Sequence, residues 1–406
     1  MKIKNFTIKN FKSFSSHTNE VEDQIRQLSG INMLYGYNNS GKSNILKFLN
    51  LIFQSKVNNE RIVVEGDVIE RRSVAPFWKG LIDDSGFLFH KNNRSKPIEF
   101  NFIIIVTHNN LKSKFEGFDV LKKDFLSDTH SYATFDLTGR IKAVDGFHTS
   151  EIVLDQVKLN KKKIYSIDGK GKLFYFEEAK NKKSSLINDG VAFNNLLSIF
   201  NDLICFLDNS RYFGTERITH EPTELNSSSF KNWLYNLYLD PKEYKVFADL
   251  VDFIEKNKIS AKTSDEALFK GVEGNSPFSD FNPEFSKSGK GEIEVMLKSG
   301  KGRFPLTSFG TGIQQLLYIL SRLFMSNSKV VLIEELEMNF SPKYQQELLG
   351  ILRALIEKGK IDQVFFTTHS KYFGYKSDFS IYEVKMTEGV STAAKVTSKR
   401  KDFFNP

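Results

Sequence analysis

The 406-residue sequence lacks several features, and each absence excludes a class of protein. With one cysteine, Cys205, the chain cannot form an internal disulfide, and the apolar segment around this residue predicts a small buried side chain. No stretch of about 18 uninterrupted apolar residues is present, so we expect no transmembrane helix. The start of the sequence, Met1 to Phe6, has no long apolar run and is not expected to be a signal peptide. These absences predict a cytoplasmic protein with no membrane partner.

The sequence also shows no internal repeat and no heptad pattern over several turns, so a long coiled coil is not expected. What is present is ordinary for a globular protein: 40% of residues are hydrophobic, 26% are charged, and 38 phenylalanines can fill a sizeable core. The formal net charge of +8 is compatible with a nucleic-acid partner, with an acidic protein partner, or with neither. Charge alone therefore leaves the partner open.

The first half of the chain has mostly strand patterns. Residues 1–56 indicate two strands, a loop and a helix. Further along, apolar alternation with glycines at the turns indicates an antiparallel meander. The strand signals lie at 98–106, 131–143, 151–158 and 162–176.

The second half begins with helical patterns. From Phe193 apolar residues recur at helical spacing, and Asp240-Pro241 is typical of a helix start. Residues 258–291 are polar and rich in Gly, Ser and Asn, which predicts a mobile loop or linker. Ordered structure is expected to return at 292–298, which alternate as a half-buried strand does.

The strongest motif is a phosphate-binding pattern, G-x-x-x-x-G-K-S, between an apolar strand and a helix. Backbone N–H groups of such a loop point at phosphate oxygens, Lys42 can reach the β- and γ-phosphates, and the hydroxyl of Ser43 can ligate Mg²⁺. A chance glycine-rich turn is the alternative, and the strand–loop–helix context argues against it. The predicted ATP-binding residues here are Gly36, Asn38, Asn39, Ser40, Gly41, Lys42, Ser43 and Asn44.

A second motif is an apolar strand that ends in two carboxylates, Glu334 and Glu335. In a Walker B arrangement, Glu334 holds Mg²⁺, directly or through water, and Glu335 polarises the attacking water as the general base. A buried strand that ends in a surface acidic pair is common without any such role. The P-loop elsewhere in the chain favours the catalytic interpretation.

Two weaker motifs accompany these. A further apolar strand, starting at Val364, ends in Thr-Thr-His-Ser with His369, although a lone histidine after a strand is usually structural. A glycine-bearing turn before an apolar-faced helix, just ahead of the acidic strand, predicts a second anion site at a helix N-terminus. A helix cap with ordinary turn chemistry is the alternative. The candidate ligands of this turn are Gly310, Thr311, Gly312 and Gln314.

Taken in order, the four motifs resemble those of the ABC-type ATPases of the RecF, SMC and OLD (overcoming lysogenization defect) group. The opening segment is similar to that group's first strand, where a basic residue, here Lys12, lies near the nucleotide. The stretch from Ile333 to Glu337 resembles the OLD-like Ile-Glu-Glu-Pro-Glu box, with Leu336 where proline is usual. The resemblance covers 1–56 and 292–386 well, and the middle only in outline.

This resemblance implies an α/β fold, namely an ABC-type P-loop ATPase head with an antiparallel β subdomain and a helical insertion. Residues 1–56 would form the N-terminal half of the nucleotide-binding core, and 57–190 a β-rich lobe. Residues 191–291 would form the helical insertion and linker. Residues 292–406 would supply the C-terminal half of the core and a basic tail.

The resemblance also implies a mechanism, in which two heads pair head-to-tail with ATP between the P-loop of one and the signature turn of the other. Thr311, Gly312 and Gln314 would then act in trans. His369 would contact the γ-phosphate and steady the attacking water. The implied catalytic residues are Lys42, Glu335 and His369, with Ser43 and Glu334 as Mg²⁺ ligands.

The sequence departs from the family pattern at three of these positions. Glu334 stands where many ABC heads carry Asp, and Thr311 replaces the usual signature serine. Ile313 replaces the second signature glycine, which bears on the tightness of the contact in trans. A Q-loop is placed only provisionally, near Phe89 to Asn92.

Three functions stay open at this stage. The first is a regulatory or sensor ATPase of a bacterial anti-phage defence system, with a separate effector such as a nuclease, because the sequence ends too soon after His369 for the TOPRIM domain of OLD nucleases. The basic excess motivates a RecF-like DNA-binding repair ATPase. The departures at Thr311 and Ile313 motivate a nucleotide-gated scaffold without useful turnover. An ABC transporter subunit fits less well, because the long middle insertion is foreign to it.

Overall fold

The fold was analysed in a computed structural model of the chain. The residues that it describes are 1–15, 24–53, 56–64, 67–75, 81–83, 87–126, 131–144, 149–167, 173–175, 190–201, 203–208, 284–287, 293–299, 302–308, 311–325, 328–373 and 378–396, with short stretches between 235 and 251. Within them, no helix is both long and apolar enough to cross a membrane.

The described elements are numbered in chain order. The strands are β1 (Lys2–Lys9), β2 (Gln24–Ile25), β3 (Ile31–Tyr35), β4 (Lys56–Val64), β5 (Asp67–Ala75), β6 (Leu81–Asp83), β7 (Ile98–Thr107), β8 (Tyr132–Ala143), β9 (Thr149–Leu159), β10 (Lys162–Ile167), β11 (Leu173–Tyr175), β12 (Ile204–Asp208), β13 (Glu284–Lys287), β14 (Ile293–Ser299), β15 (Gly302–Pro305), β16 (Val330–Glu334), β17 (Gln363–Thr368), β18 (Phe379–Thr387) and β19 (Val390–Lys395). The helices are α1 (Lys42–Phe53), α2 (His108–Lys114), α3 (Phe118–Phe125), α4 (Gly190–Leu197), α5 (Thr311–Met325) and α6 (Pro342–Glu357).

A six-stranded, mainly parallel sheet forms the centre of the fold, in the order β12-β16-β17-β3-β18-β19. Neighbouring strands in this sheet are parallel up to β18, and β19 pairs with β18 in the antiparallel direction. Every residue of β3, β16 and β17 is buried, as expected for parallel strands that are covered on both faces. The carboxyl ends of β16, β17 and β3 therefore lie side by side at one edge of the sheet.

The second sheet is antiparallel, in the order β11-β10-β9-β8-β7-β1-β2, with β6 paired to β9. Its long strands alternate between buried and more exposed residues, which fits a sheet with one face on a core. The predicted meander is confirmed. The sheet also takes in β1, so it crosses the boundary that the sequence analysis placed at residue 56, and that domain division stays a prediction.

Phenylalanines fill the space between the two sheets. Phe48 of α1 stacks on Phe102 of β7 at a centroid distance of 6.0 Å, and Phe6 of β1 meets Phe365 of β17 edge-on at 6.4 Å. A second apolar cluster covers the opposite face of the parallel sheet with residues of α5 and α6. Because side chains alternate along a strand, Leu332 of β16 faces the first cluster and Ile333 faces the second.

Gln363, at the start of β17, ties the two sheets together through a buried set of hydrogen bonds. Its Oε1 accepts from the Ile3 N–H at 2.9 Å, and its Nε2 donates to the carbonyl oxygens of Ile3 at 2.9 Å and Ser29 at 3.0 Å. The side chain is fully buried. Each buried polar group in this set has a partner, as a stable interior requires.

The structure corrects some predictions and adds to others. The linker prediction for 258–291 is wrong at its end, because Glu284–Lys287 pair with β14 as a strand. Cys205 is only partly buried, because it lies on β12 at the edge of the parallel sheet. The β4–β5 hairpin was not predicted, and the predicted helix start at Asp240-Pro241 lies outside the described residues. The α/β fold with an antiparallel subdomain is confirmed, while most of the helical insertion lies outside the described part.

Candidate functional site

The P-loop joins the end of β3 to the start of α1. Asn38 and Asn39 are exposed, whereas Ser40 and Lys42 are buried. The ammonium group of Lys42 donates to the carbonyl oxygens of Gly36 and Tyr37, both at 2.8 Å. The lysine side chain thus folds back over the loop that precedes it. Its Nζ is thereby held at the centre of the loop, where a phosphate group would lie.

Two glycines let the backbone of this loop pass close to its neighbours. Gly41 has a φ of +100°, and a Cβ on it would lie 2.9 Å from Ser13 Oγ and overlap Ser391 Oγ. Ser391 of β19 donates its hydroxyl to the Ser40 carbonyl at 2.8 Å, and its N–H donates to Ser13 at 2.8 Å. The P-loop is therefore packed against strand β19 and against the segment after β1.

The first residues of α1 complete the predicted phosphate site. Asn44 donates through Nδ2 to Ser13 Oγ at 2.8 Å, so its side chain supports the loop rather than pointing to solvent. Ser43 is the second residue of α1, directly after Lys42. The hydroxyl of Ser40 is buried with no hydrogen-bond partner among the described residues, and such an orphaned donor fits a bound phosphate oxygen.

Three carboxylates face Lys42. Burial lowers the pKa of Lys42, and the negative charges of Glu337, then Glu335, then Glu334 act against that shift. Nearby negative charge favours the charged form of a buried ammonium group, and a bound phosphate would act in the same direction. The loop, its lysine and the acidic residues therefore form one electrostatic unit.

The acidic pair lies where β16 ends. Glu334 is the last residue of the strand and is buried, with Lys47 Nζ of α1 at 4.0 Å from its Oε1. Glu335 has a φ of +50°, and its N–H donates to Thr367 Oγ1 at 2.8 Å. This left-handed backbone conformation ends the strand directly after Glu334. The two functions predicted for this pair, Mg²⁺ binding by Glu334 and activation of water by Glu335, stay predictions.

The donor set suits Mg²⁺. No group of three or more His, Cys, Asp or Glu side chains that could hold a metal is found in the part of the chain that the structure describes. Mg²⁺ commonly takes only one or two protein ligands and keeps water and phosphate oxygens for the rest. One carboxylate, Glu334, and one hydroxyl, Ser43, meet that requirement.

His369 follows β17, next to the P-loop strand, and is held by a residue to which the sequence analysis gave no role. Its backbone N–H donates to Glu337 Oε1 at 2.7 Å, and its Nδ1 lies 2.8 Å from the same oxygen. The Glu337 side chain is only 7% exposed, whereas that of His369 is 53% exposed. The acidic box shows Glu337 as its third carboxylate, but no signal in the sequence indicates that this carboxylate contacts His369.

The signature turn is only partly described. Gly310 lies outside the described residues, while Thr311, Gly312 and Gln314 form the first turn of α5. A Cβ on Gly312 would lie 2.8 Å from the carbonyl oxygen of Asn339, in the turn after the acidic strand. The buried Gln315, which was not predicted as a site residue, accepts from Asn339 Nδ2 at 3.1 Å. The start of α5 is therefore anchored to the turn that follows Glu337.

Lys12 lies in a clamped loop after β1. Its φ is +48°, its N–H donates to the Leu88 carbonyl at 2.7 Å, and its own carbonyl accepts from His90 Nδ1 at 2.7 Å. Burial, then the nearby charge of Lys47, lowers the pKa of Lys12. Lys47 is thus near both Lys12 and Glu334, and the predicted place of Lys12 near the nucleotide stays a prediction. The Q-loop position near Phe89 stays a prediction.

The strand order brings the three strongest motifs together. Strand β17 lies between β16 and β3, so His369 follows the strand between those of the acidic pair and the P-loop. The Gly36 N–H donates to the Thr368 carbonyl at 3.3 Å, and the Leu336 N–H donates to the Thr367 carbonyl at 3.1 Å. Backbone contacts therefore join the ends of all three strands.

The chain is similar to one protein family and to several solved structures. Residues 1–373 match a protein-family model described as an AAA ATPase domain, AAA_15. A search of the curated proteins gave no match. Three solved structures to which the chain is similar are the SMC head domain from Thermotoga maritima (14% identity, 98% of this chain and 100% of that chain, TM-score 0.41), the SmcHead bound to the C-winged helix domain of ScpA (14%, 98% and 99%, 0.45) and the recombination mediator protein RecF-ATPrS (12%, 98% and 98%, 0.38).

These TM-scores are below 0.5, so the assignment rests on the family match and on the chain's own motifs and topology. The family model takes in the P-loop, the acidic pair and His369. The parallel sheet with the P-loop, the antiparallel sheet beside it and the family match confirm the predicted ATPase head. The chain belongs to the AAA_15 family of AAA ATPase domains.

Proposed function

We propose that this protein binds Mg-ATP and hydrolyses it to ADP and phosphate. The observation that carries the proposal is the junction of three strand ends, which places the P-loop, the acidic pair and His369 at one edge of the parallel sheet. Side chains at such an edge converge on a ligand that lies outside the carboxyl ends of the strands.

Each residue then has a role that its surroundings support. Lys42, held at the centre of the loop, neutralises the β- and γ-phosphates, and the loop N–H groups bind their oxygens. Glu335, in the left-handed turn directly after Glu334, polarises the attacking water. His369 contacts the γ-phosphate. Ser43 and Glu334 would hold Mg²⁺, which when bound would offset the negative charge that develops on the phosphate oxygens.

We further propose that ATP is shared by two copies of the chain arranged head-to-tail. Thr311, Gly312 and Gln314, at the N-terminus of α5, would bind the γ-phosphate of the partner's nucleotide. Tyr37, at the outer face of the P-loop, is 80% exposed and would lie on the surface that meets the second copy. Ile313 stands in place of a signature glycine, so the tightness of this contact is a point that the test below addresses.

In the cell, we propose a regulatory or sensor role in bacterial anti-phage defence, with a separate effector protein such as a nuclease. This rests on the resemblance of the acidic box and the stand-alone head to the OLD-like ATPases, and is therefore an argument by family analogy. The formal net charge of +8 supports a second candidate, ATP-dependent DNA binding in repair. A nucleotide-gated scaffold that binds ATP without useful turnover is the third.

The test is steady-state ATP hydrolysis over a range of protein concentrations. Glu335→Gln is expected to bind ATP and to lose turnover by about 100-fold or more, as removal of a general base does. Lys42→Ala, as a binding control, is expected to weaken ATP affinity itself. A rate per chain that rises with concentration supports the shared site, whereas normal turnover by Glu335→Gln would show that the base is another residue.

The same assay separates the cellular roles. Repeating it with duplex DNA, at low and at moderate salt, tests the repair candidate, because phosphate contacts weaken steeply as salt rises. DNA affinity that depends on ATP and survives moderate salt would favour repair. DNA affinity that ignores the nucleotide would count against repair and turn attention to a protein effector that co-purifies with the chain.

A further inference from the structure

Glu337 is a buried carboxylate with no role in the proposed reaction so far. It lies two residues beyond the proposed base, in the turn after β16, and its side chain is almost wholly inside the protein. One oxygen, Oε1, accepts both from the backbone N–H of His369 at 2.7 Å and from its ring Nδ1 at 2.8 Å. The other, Oε2, is buried without a hydrogen-bond partner among the described residues. Among the described residues, His369 is therefore the hydrogen-bonding partner of this carboxylate.

These two contacts fix the protonation pattern of the imidazole. An ionised carboxylate only accepts hydrogen bonds, so the ring nitrogen beside it must carry a proton. The proton of a neutral His369 ring is therefore on Nδ1, and Nε2 has a free lone pair. The contact to the backbone N–H of the same residue also fixes the start of the side chain, so the ring is held at two points.

The exposed part of the ring is on the side away from Glu337. Nδ1 faces a buried carboxylate while about half of the His369 side chain is exposed, so Nε2 is the ring nitrogen available to a ligand at the end of β17, the strand next to that of the P-loop. A buried partner that orients an imidazole and selects its tautomer is the arrangement that makes a histidine effective toward a substrate.

We infer that Glu337 is a positioning residue for ATP hydrolysis, which holds His369 in the Nδ1–H form with Nε2 aimed at the γ-phosphate and the attacking water. The inference rests on the proposed ATPase function. It assigns to the third carboxylate of the acidic box a task different from those of Glu334 and Glu335. Among the carboxylates near Lys42, Glu337 also exerts the largest attraction, so a single buried charge acts on two of the groups that would contact the γ-phosphate.

The first test is a double-mutant cycle on ATP hydrolysis. Glu337→Ala is expected to lower kcat about 10- to 100-fold, with little change in KM, because orienting partners of functional histidines contribute at that level. If Glu337 acts through His369, the variant Glu337→Ala/His369→Ala is no slower than His369→Ala alone. Losses that multiply would overturn the inference.

A conservative variant separates positioning from general damage. Glu337→Gln keeps an acceptor oxygen at the same distance, so it is expected to recover most of the rate that Glu337→Ala loses. A glutamine variant as slow as the alanine variant would overturn positioning by hydrogen bonding. Asp155→Asn is the matched control, since it removes the charge of a partly buried carboxylate that pairs with Arg140 in the antiparallel sheet, away from the proposed ATP site. Normal turnover is expected from it.

The second test does not depend on turnover. In protein labelled with ¹⁵N-histidine and free of nucleotide, the ring shifts of His369, identified by their loss in His369→Ala, report the tautomer. At a pH where the ring is neutral, we expect the Nδ1–H form in the unmodified chain and a mixture of tautomers in Glu337→Ala. An Nε2–H ring in the unmodified chain would overturn the inference. Absence of ATP turnover would count against the proposed function, whereas these shifts would still show whether Glu337 holds the ring.

Discussion

Gly41→Ala tests whether the P-loop is built as described. Gly41 has a φ of +100°, well beyond the usual left-handed value, and holding alanine there costs on the order of 1–3 kcal/mol. The new Cβ would also lie 2.9 Å from Ser13 Oγ and overlap Ser391 Oγ. Ser391 would have to rotate and give up its hydrogen bond to the Ser40 carbonyl, which costs about 1 kcal/mol more. The expected loss of stability is therefore about 2–4 kcal/mol.

The matched control is Gly359→Ala, in the turn after α6. Gly359 has a φ of +69°, and a Cβ there would meet nothing within 4 Å. Gly359→Ala thus introduces backbone strain without a steric clash. It is expected to lower the free energy of unfolding by about 1 kcal/mol. The assay is urea unfolding without nucleotide. The midpoint urea concentration of Gly41→Ala should be clearly lower than that of Gly359→Ala.

If Gly41→Ala and Gly359→Ala lose the same free energy of unfolding, the reasoning is refuted, because the contact between the P-loop and β19 would then not contribute to stability. A second variant checks the same contact from the other side. Ser391→Gly removes the atoms that the new Cβ would strike, so the combined variant Gly41→Ala/Ser391→Gly should lose less than the two single losses together. A simple sum would show that Ser391 does not confine the loop.

Two further predictions concern stability away from the P-loop. Gln363→Leu leaves the buried N–H and carbonyl of Ile3 and the carbonyl of Ser29 without their partner, and is expected to cost about 3–5 kcal/mol in urea unfolding. A cost below about 1 kcal/mol would mean that Gln363 does not join the two sheets. Ser341→Ala removes the cap of α6, where the hydroxyl accepts from the Tyr344 N–H, and should cost about 0.5–1 kcal/mol in thermal or urea unfolding. If Ser341→Ala has the same helix content and the same free energy of unfolding as the unmodified chain, the hydroxyl does not have this capping role.

The motif-bearing core could be predicted from the sequence because its signals are local. A P-loop must follow a buried strand and precede a helix, and the continuous apolar runs at β3, β16 and β17 marked strands covered on both faces. Polar residues at the ends of those runs then had to meet at one edge of the sheet. The positions of Lys42, Glu334, Glu335 and His369 follow from this rule.

The side-chain partners could not be predicted, because they depend on contacts between residues far apart in the sequence. Glu337 and His369 are 32 residues apart, and Gln363 and Ile3 are 360 residues apart. No local pattern distinguishes a carboxylate that holds a histidine from one that faces solvent. The same applies to β1, whose alternation predicted a strand but could not show that it pairs with β7 in the antiparallel sheet.

Backbone geometry distinguishes the three close carboxylates of the acidic box, for which three separate roles are proposed. Glu334 completes the strand and stays buried, whereas Glu335 takes a left-handed φ of +50°, at a cost on the order of 1 kcal/mol for a residue that is neither Gly nor Asn. Thr367 offsets this cost, because its Oγ1 accepts from the Glu335 N–H and its carbonyl from the Leu336 N–H. Leu336 is thereby held in the core, and the next side chain, Glu337, is directed inward to His369. The strained residue is thus the one proposed to act on water, as expected where backbone strain occurs at functional sites.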